Sequence, residues 1–137
     1  MPAKILSVDY FYMTVPDKPG AACHVLFQLA AADVNLLAFS AVPIGPENTQ
    51  LVLFPESIDA LARGAEKAGF VLTGPNRALL IQGDDQLGAL VSIHEKLSES
   101  GVNVYASTGV SDGKGGFGYV MYVKEDQFND AIRVLDL

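Results

Sequence analysis

The chain has 137 residues, of which 50% are hydrophobic and 18% charged, and its formal net charge at pH 7 is −7. This length allows one domain or two small ones, and the negative charge argues against nucleic acids and anionic membranes as partners because both would repel the protein. A single cysteine, Cys23, excludes an internal disulfide and a multi-thiolate zinc site within one chain.

The first half of the sequence predicts six elements, which end at a tight Gly-Pro-Asn linker over residues 74–76. Runs of aromatic and β-branched residues predict the strands, and apolar residues at helical spacing predict the helices. In chain order these elements are a strand at 6–15, a helix from about 20 to 32, strands at 34–42 and 49–54, a helix at 57–68 and a strand at 70–73.

The second half repeats this order without a final strand. Its glycine-rich segment at 112–118 is predicted to be the tip of a hairpin, since no Lys-Ser or Lys-Thr pair opens a helix after it, as a nucleotide-binding P-loop requires. The predicted elements are a strand at 78–83, a helix at 88–100, strands at 102–110 and 119–123, and a helix at 125–135.

The two halves are an internal repeat with a constant offset. Apolar positions keep the same register throughout, for example Val25 with Ile93 and Leu29 with Leu97. Such a repeat determines the architecture more firmly than local propensity does. The repeated turn and polar residues are Asp17 and Asp85, Gly20 and Gly88, and Asn35 and Asn103, each pair 68 positions apart.

We therefore predict an α+β fold of two ferredoxin-like βαββαβ units, each an antiparallel sheet with its helices on one face. Domain 1 is predicted at 1–74 and domain 2 at 75–137. The second unit lacks room for its last strand. Either the N-terminal strand from Ala3 or a partner chain is expected to complete that sheet, because an open edge strand invites pairing.

The helix over 21–32 is apolar nearly all the way round. Helices of this kind are buried on more than one side. We expect it to lie in a contact between copies or between subunits, and the alternative is a plain core helix in a compact monomer. The high apolar content of the whole chain also favours oligomerisation.

The turn between the first strand and first helix of each copy is the strongest candidate site. A helix N-terminus exposes free backbone N–H groups and a partial positive charge, so a carboxylate would be held there. The α-amino group of the same ligand would then need an acceptor, which Asp17 or Asn35 supplies if the second strand begins beside the turn. The alternative is ordinary turn and cap chemistry.

The segment Thr14-Val-Pro-Asp-Lys-Pro-Gly-Ala-Ala22, followed by Leu29-Ala-Ala-Ala-Asp-Val-Asn35, resembles the ACT domain, particularly the tandem copies at the regulatory end of aspartokinases. The resemblance implies a stand-alone regulator that binds an amino acid or similar metabolite between paired domains, works as a homodimer and acts on a regulated enzyme. It implies no catalytic residue and no cofactor. The single cysteine separately predicts a cytoplasmic protein, because the cytoplasm is reducing. The implied ligand-binding residues are Asp17, Lys18, Pro19, Gly20, Ala21 and Asn35, with Asp85, Leu87, Gly88 and Asn103 in the second copy, where Leu87 replaces the proline.

Two other classes of function stay open. A structural oligomerisation module without a ligand would also explain the apolar first helix. A small metal-dependent enzyme of the glyoxalase type would need His24, His94 and a carboxylate as ligands, but the two histidines are 70 rather than 68 positions apart, which disfavours a symmetric metal site.

Overall fold

The computed structural model describes residues 3–84, 86 and 88–137. No helix in these ranges is long and apolar enough to cross a membrane. The elements are β1 (Lys4–Pro16), α1 (Ala21–Ala31), β2 (Leu36–Pro43), β3 (Asn48–Pro55), α2 (Ile58–Ala68), β4 (Thr73–Asp84), α3 (Val91–Glu99), β5 (Val104–Ser111), β6 (Gly116–Val123) and α4 (Glu125–Val134).

The chain divides into two compact units. The first unit is Asp9–Asn76, and the second joins Arg77–Leu137 to the N-terminal segment that ends at Val8. The division falls two residues after the predicted boundary at residue 74, and it also groups the start of β1 with the later part of the chain.

In the first unit the strand order is β2-β3-β1, followed by the beginning of β4. β3 pairs antiparallel with both of its neighbours, with Leu53 opposite Phe11 of β1 and Phe39 of β2. α1 and α2 cover one face, where Val25 and Leu29 of α1 meet Leu61 of α2 in the core. α2 starts at Ser57, whose Oγ accepts a hydrogen bond from the Ala60 N–H, and it ends at Gly69 in the left-handed conformation.

The second unit follows the same plan. β6 pairs antiparallel with β4 and β5, and α3 and α4 enclose a core around Phe128. Ala3 and Ile5 pack against this core, and the Cα of Ala3 is 3.1 Å from the place where a Cβ on Gly83 would stand. Of the two expected candidates for completing the second sheet, the N-terminal strand and a partner chain, the N-terminal strand takes the position beside β4.

The predicted linker at 74–76 lies where the two units divide, but it is not a turn. These residues lie inside β4, which runs without interruption from Thr73 to Asp84. Gly74 has a positive φ of 143° and lies against Tyr10 and Phe11 of β1. The Gly-Pro-Asn signal is therefore part of a strand.

Replacing Gly74 with alanine is expected to lower the free energy of unfolding by about 2–3 kcal/mol. A Cβ there would lie 2.8 Å from Cδ2 of Phe11 and 2.9 Å from the Tyr10 carbonyl oxygen, and the φ is one that alanine avoids. Urea unfolding followed by circular dichroism measures the change. Gly118→Ala on β6 is the matched control, because nothing lies within 4 Å of the place where its Cβ would stand, so a loss of similar size there would contradict the prediction.

Candidate functional site

The turn after β1 places the start of α1 at one end of the first sheet. Pro16 lies opposite Asn48 of β3, and the Asp17 N–H donates to the Glu47 carbonyl oxygen at 2.8 Å. Gly20, with φ 86°, redirects the chain into α1. No side chain among the described residues caps α1, and its first turn has no acidic residue. This helix start is therefore suited to accept an anionic group from outside the chain.

A cavity of about 610 Å³ opens at this helix start, and it lies entirely within the first unit. Most of its wall is apolar, and Lys18 and His24 are its two basic side chains. The His24 ring meets Phe70 edge to face, with centroids 6.1 Å apart. The lining residues are Met13, Thr14, Val15, Pro16, Lys18, Pro19, Gly20, Ala21, His24, Val25, Gly69, Phe70 and Val71.

The predicted residues Lys18, Pro19, Gly20 and Ala21 thus line one cavity, with Asp17 in the same turn. The residues that sequence reasoning missed are His24 and the 69–71 segment. His24 stands four positions after Gly20, on the same side of the helix, so helical spacing gave a signal for it. Nothing in the sequence indicated that residues 69–71 line the cavity, because their position depends on how the chain returns from α2 to this end of the sheet.

Asn35 is not beside the turn. β2 begins at Leu36 opposite Pro55, at the other end of β3 from Asn48. The side-chain Nδ2 of Asn35 donates to Oε2 of Glu56 at 2.8 Å, and α1 alone, with 11 residues, spans about 16 Å between the two turns. The expectation that the second strand begins beside the turn is therefore wrong within one chain.

The equivalent site in the second unit is smaller and differently lined. Asp85 and Leu87 lie outside the described residues, and Gly88 has φ 71° shortly before α3. Asn103 lies at the opposite end of α3, where its N–H donates to Oε1 of Gln127. Gln86 and Phe117 line two cavities here, one of about 350 Å³ that includes Gly88 and one of about 270 Å³ that does not.

Several solved structures have the same fold as this chain at low sequence identity. Protein BT0572 from Bacteroides thetaiotaomicron has a TM-score of 0.81 at 17% identity, covering 96% of this chain and 88% of its own. The ligand-free regulatory subunit of aspartate kinase from Thermus thermophilus has a TM-score of 0.67 at 15% identity, covering 99% and 95%. The aspartokinase alpha and beta subunits have a TM-score of 0.57 at 18% identity, covering 98% and 95%.

The chain has the fold of a tandem pair of ACT domains. The predicted resemblance to the regulatory pair of aspartokinases is therefore confirmed for the fold. Sequence identities of 15–18% support a shared fold and nothing more specific. No protein-family model matches the sequence, and no curated protein is significantly similar to it.

In this tandem ACT fold the two histidines have separate surroundings. His24 belongs to the first unit, whereas Nε2 of His94 is 2.9 Å from the Tyr119 hydroxyl in the second. Within the described ranges, no three residues among His, Cys, Asp and Glu are grouped as a metal ion would require.

The glycine-rich segment is a hairpin tip between β5 and β6, as predicted. Oδ1 of Asp112 accepts hydrogen bonds from the N–H groups of Lys114 and Gly116, at 2.6 and 3.0 Å. These bonds lower the pKa of Asp112, the one from Lys114 most, because they favour the charged carboxylate. The Asp112 side chain thus stabilises the conformation of the hairpin tip through these two hydrogen bonds.

Proposed function

We propose that this protein is a cytoplasmic, non-catalytic regulator that binds an amino acid or a closely related small metabolite and acts as a homodimer on a regulated enzyme. The observation that supports this most is the cavity at the uncapped start of α1, which combines an anion-binding end with apolar walls. The fold shared with a regulatory subunit of aspartate kinase agrees with it. The proposal assigns the chain no catalytic residue, cofactor or metal.

The residues around the cavity match the three parts of an amino acid. The first N–H groups of α1 and the Lys18 ammonium attract the carboxylate, because the helix start and the lysine are both positive. The Asp17 carboxylate accepts from the α-amino group. Val15, Val25 and Phe70 line the cavity and surround an apolar side chain.

Asn35 joins this site only from a second chain, since the turn that carries it lies at the far end of α1. In a homodimer with the two α1 helices antiparallel, the 33–35 turn of one chain meets the 17–20 turn of the other. A ligand held by both chains stabilises that association geometry, and this gives the protein a means to signal.

Isothermal titration calorimetry with each common L-amino acid tests the proposal. We expect one of them to bind, and Asp17→Ala to weaken its affinity about 10- to 100-fold, since hydrogen bonds to charged groups contribute about 1.5–3 kcal/mol. Asp59→Ala is the matched control, because Asp59 lies in the first turn of α2, outside the cavity. If no amino acid binds, or if both variants bind like the parent protein, the proposal fails.

The exposed apolar side of α1 favours a second candidate, a structural oligomerisation module without a ligand. The same titrations separate the two functions. A protein that forms a stable dimer but binds none of the amino acids would be such a module.

A further inference from the structure

We propose that the ligand of the cavity at the start of α1 is an aromatic amino acid, whose ring enters beside His24 and Phe70. The inference rests on the proposed function, because it names the class of side chain that the same cavity accepts. The helix start and Asp17 hold the carboxylate and amino groups that every amino acid shares. Selection among amino acids therefore depends on the rest of the cavity wall.

The cavity has a buried apolar wall and a more exposed aromatic one. Met13 and Val25 are its buried part, with 7% and 2% exposure. Phe70 is half-buried and His24 is exposed, and their rings meet edge to face at 83°. Rings and methionine side chains both pack favourably on a further ring. The fold does not require the histidine, since Ser92 stands at the equivalent position of α3.

The charges of the wall disfavour the other classes of side chain. Among the described residues that line the cavity none is Asp or Glu, so a basic side chain would find no opposite charge there. An acidic side chain would compete with the ligand's own carboxylate for Lys18. An aliphatic side chain meets neither penalty, but in a cavity of about 610 Å³ it covers less apolar wall than a ring does, and the hydrophobic gain scales with the area covered.

The internal repeat places a phenyl ring in the corresponding part of the second unit. Phe117 of β6 lies opposite Gly83 of β4, and a Cβ on Gly83 would be 3.1 Å from Cε1 of Phe117. The ring therefore lies over the glycine. Phe117 lines both cavities at the start of α3, so both are bounded by a ring that the chain itself supplies.

The first unit has the same two strand positions without a ring. Gly83 and Phe117 correspond to Val15 and Thr49, each 68 positions earlier, and these two are likewise opposite each other. Val15 lines the cavity at the start of α1, whereas Thr49 does not. The first copy thus leaves open a space that the second copy bounds with its own phenyl ring. An aromatic ring from outside the chain is the occupant that this comparison favours.

Calorimetry with L-phenylalanine, L-tyrosine and L-tryptophan against L-leucine, L-lysine and L-aspartate tests the proposal. We expect the tightest of the aromatic amino acids to bind about 10-fold or more tightly than any of the other three. A non-aromatic amino acid that binds more tightly, and that loses affinity in Asp17→Ala, would overturn this inference and leave the proposed function standing. If no common amino acid binds, both fail.

Variants of the ring pair test where the aromatic side chain lies. His24→Ala removes an exposed side chain, and we expect it to weaken the tightest aromatic ligand about 3- to 10-fold, the effect of losing one aromatic contact. Phe70→Ala is expected to weaken it by about 10-fold or more, and if this variant does not fold, His24→Ala alone decides. Phe27→Ala is the matched control, because Phe27 is 68% exposed on α1 and does not line the cavity. Parent affinity in the folded ring variants would overturn the proposal.

A further variant gives the first copy the strand residues of the second. Val15→Gly combined with Thr49→Phe supplies the cavity with a ring of its own. We expect the affinity for the tightest aromatic amino acid to fall about 10-fold or more, because the two rings compete for one space. Thr49→Ser is the control, and circular dichroism checks that each variant is folded. Parent affinity in the folded double variant would contradict the position inferred for the ligand's ring.

Discussion

Replacing Phe128 with alanine is expected to lower the free energy of unfolding by about 3–5 kcal/mol, a cost typical of removing a buried aromatic ring. Phe128 on α4 has 0% exposure and lies at the centre of the second core. The Arg77 guanidinium stands 4.3 Å from the centre of its ring and also bonds to Glu125 at 2.7 Å. The variant therefore loses the packing of the ring and the cation–π contact together.

Thermal unfolding monitored by circular dichroism measures this loss, which for a chain of this size corresponds to a midpoint lower by roughly 10–20 °C. Tyr105→Ala is the matched control in the same unit, because Tyr105 is an aromatic residue that is 52% exposed. We expect its cost to stay near or below about 1 kcal/mol. Equal losses in the two variants would show that Phe128 does not organise the second core.

Local pattern was sufficient to predict most of the elements. α2 was predicted over 57–68 and is found at Ile58–Ala68, because a serine cap and a terminal glycine mark its two ends. The repeat also showed which strand the second sheet lacks, although the sequence left open whether the N-terminal strand or a partner chain supplies it. Hydrophobic periodicity and helix caps depend on residues close together in the chain, so they can be recognised in the sequence itself.

The path of β4 could not be predicted from local pattern. Gly74 and Pro75 have the composition of a turn, but they lie in a strand beside Phe11 of β1. That neighbour is more than 60 positions away in the chain. Long-range pairing decides the conformation here, and a local turn signal is then misleading.

The placement of Asn35 could have been predicted from the topology, although not from spacing. The helix of a βαβ connection runs back along the sheet, so the second strand begins at the end opposite the first turn. Spacing of 15 residues between Gly20 and Asn35 is the same in both copies because α1 and α3 have similar lengths. The repeat therefore favoured a site that combines the 17–20 turn with Asn35, although a single chain does not bring them together.

This separation leads to the last prediction, which concerns mixed dimers of Asp17→Ala and Asn35→Ala chains. Each variant alone is expected to lose at least about tenfold in affinity, since every site of its homodimer lacks one polar partner of the ligand. In a mixed dimer one site lacks both residues. The other site combines the intact Asp17 turn of one chain with the intact Asn35 of the second, and it should bind with the affinity of the parent protein.

Co-expression with two different tags isolates the mixed dimer, and calorimetry then counts its sites. We expect one ligand per mixed dimer at parent affinity, against two for the parent dimer. A site built within one chain would instead leave each half of the mixed dimer as defective as in its own homodimer. Since Asn35 and the 17–20 turn lie at opposite ends of α1, recovery of one full-affinity site requires that the second chain bring them together.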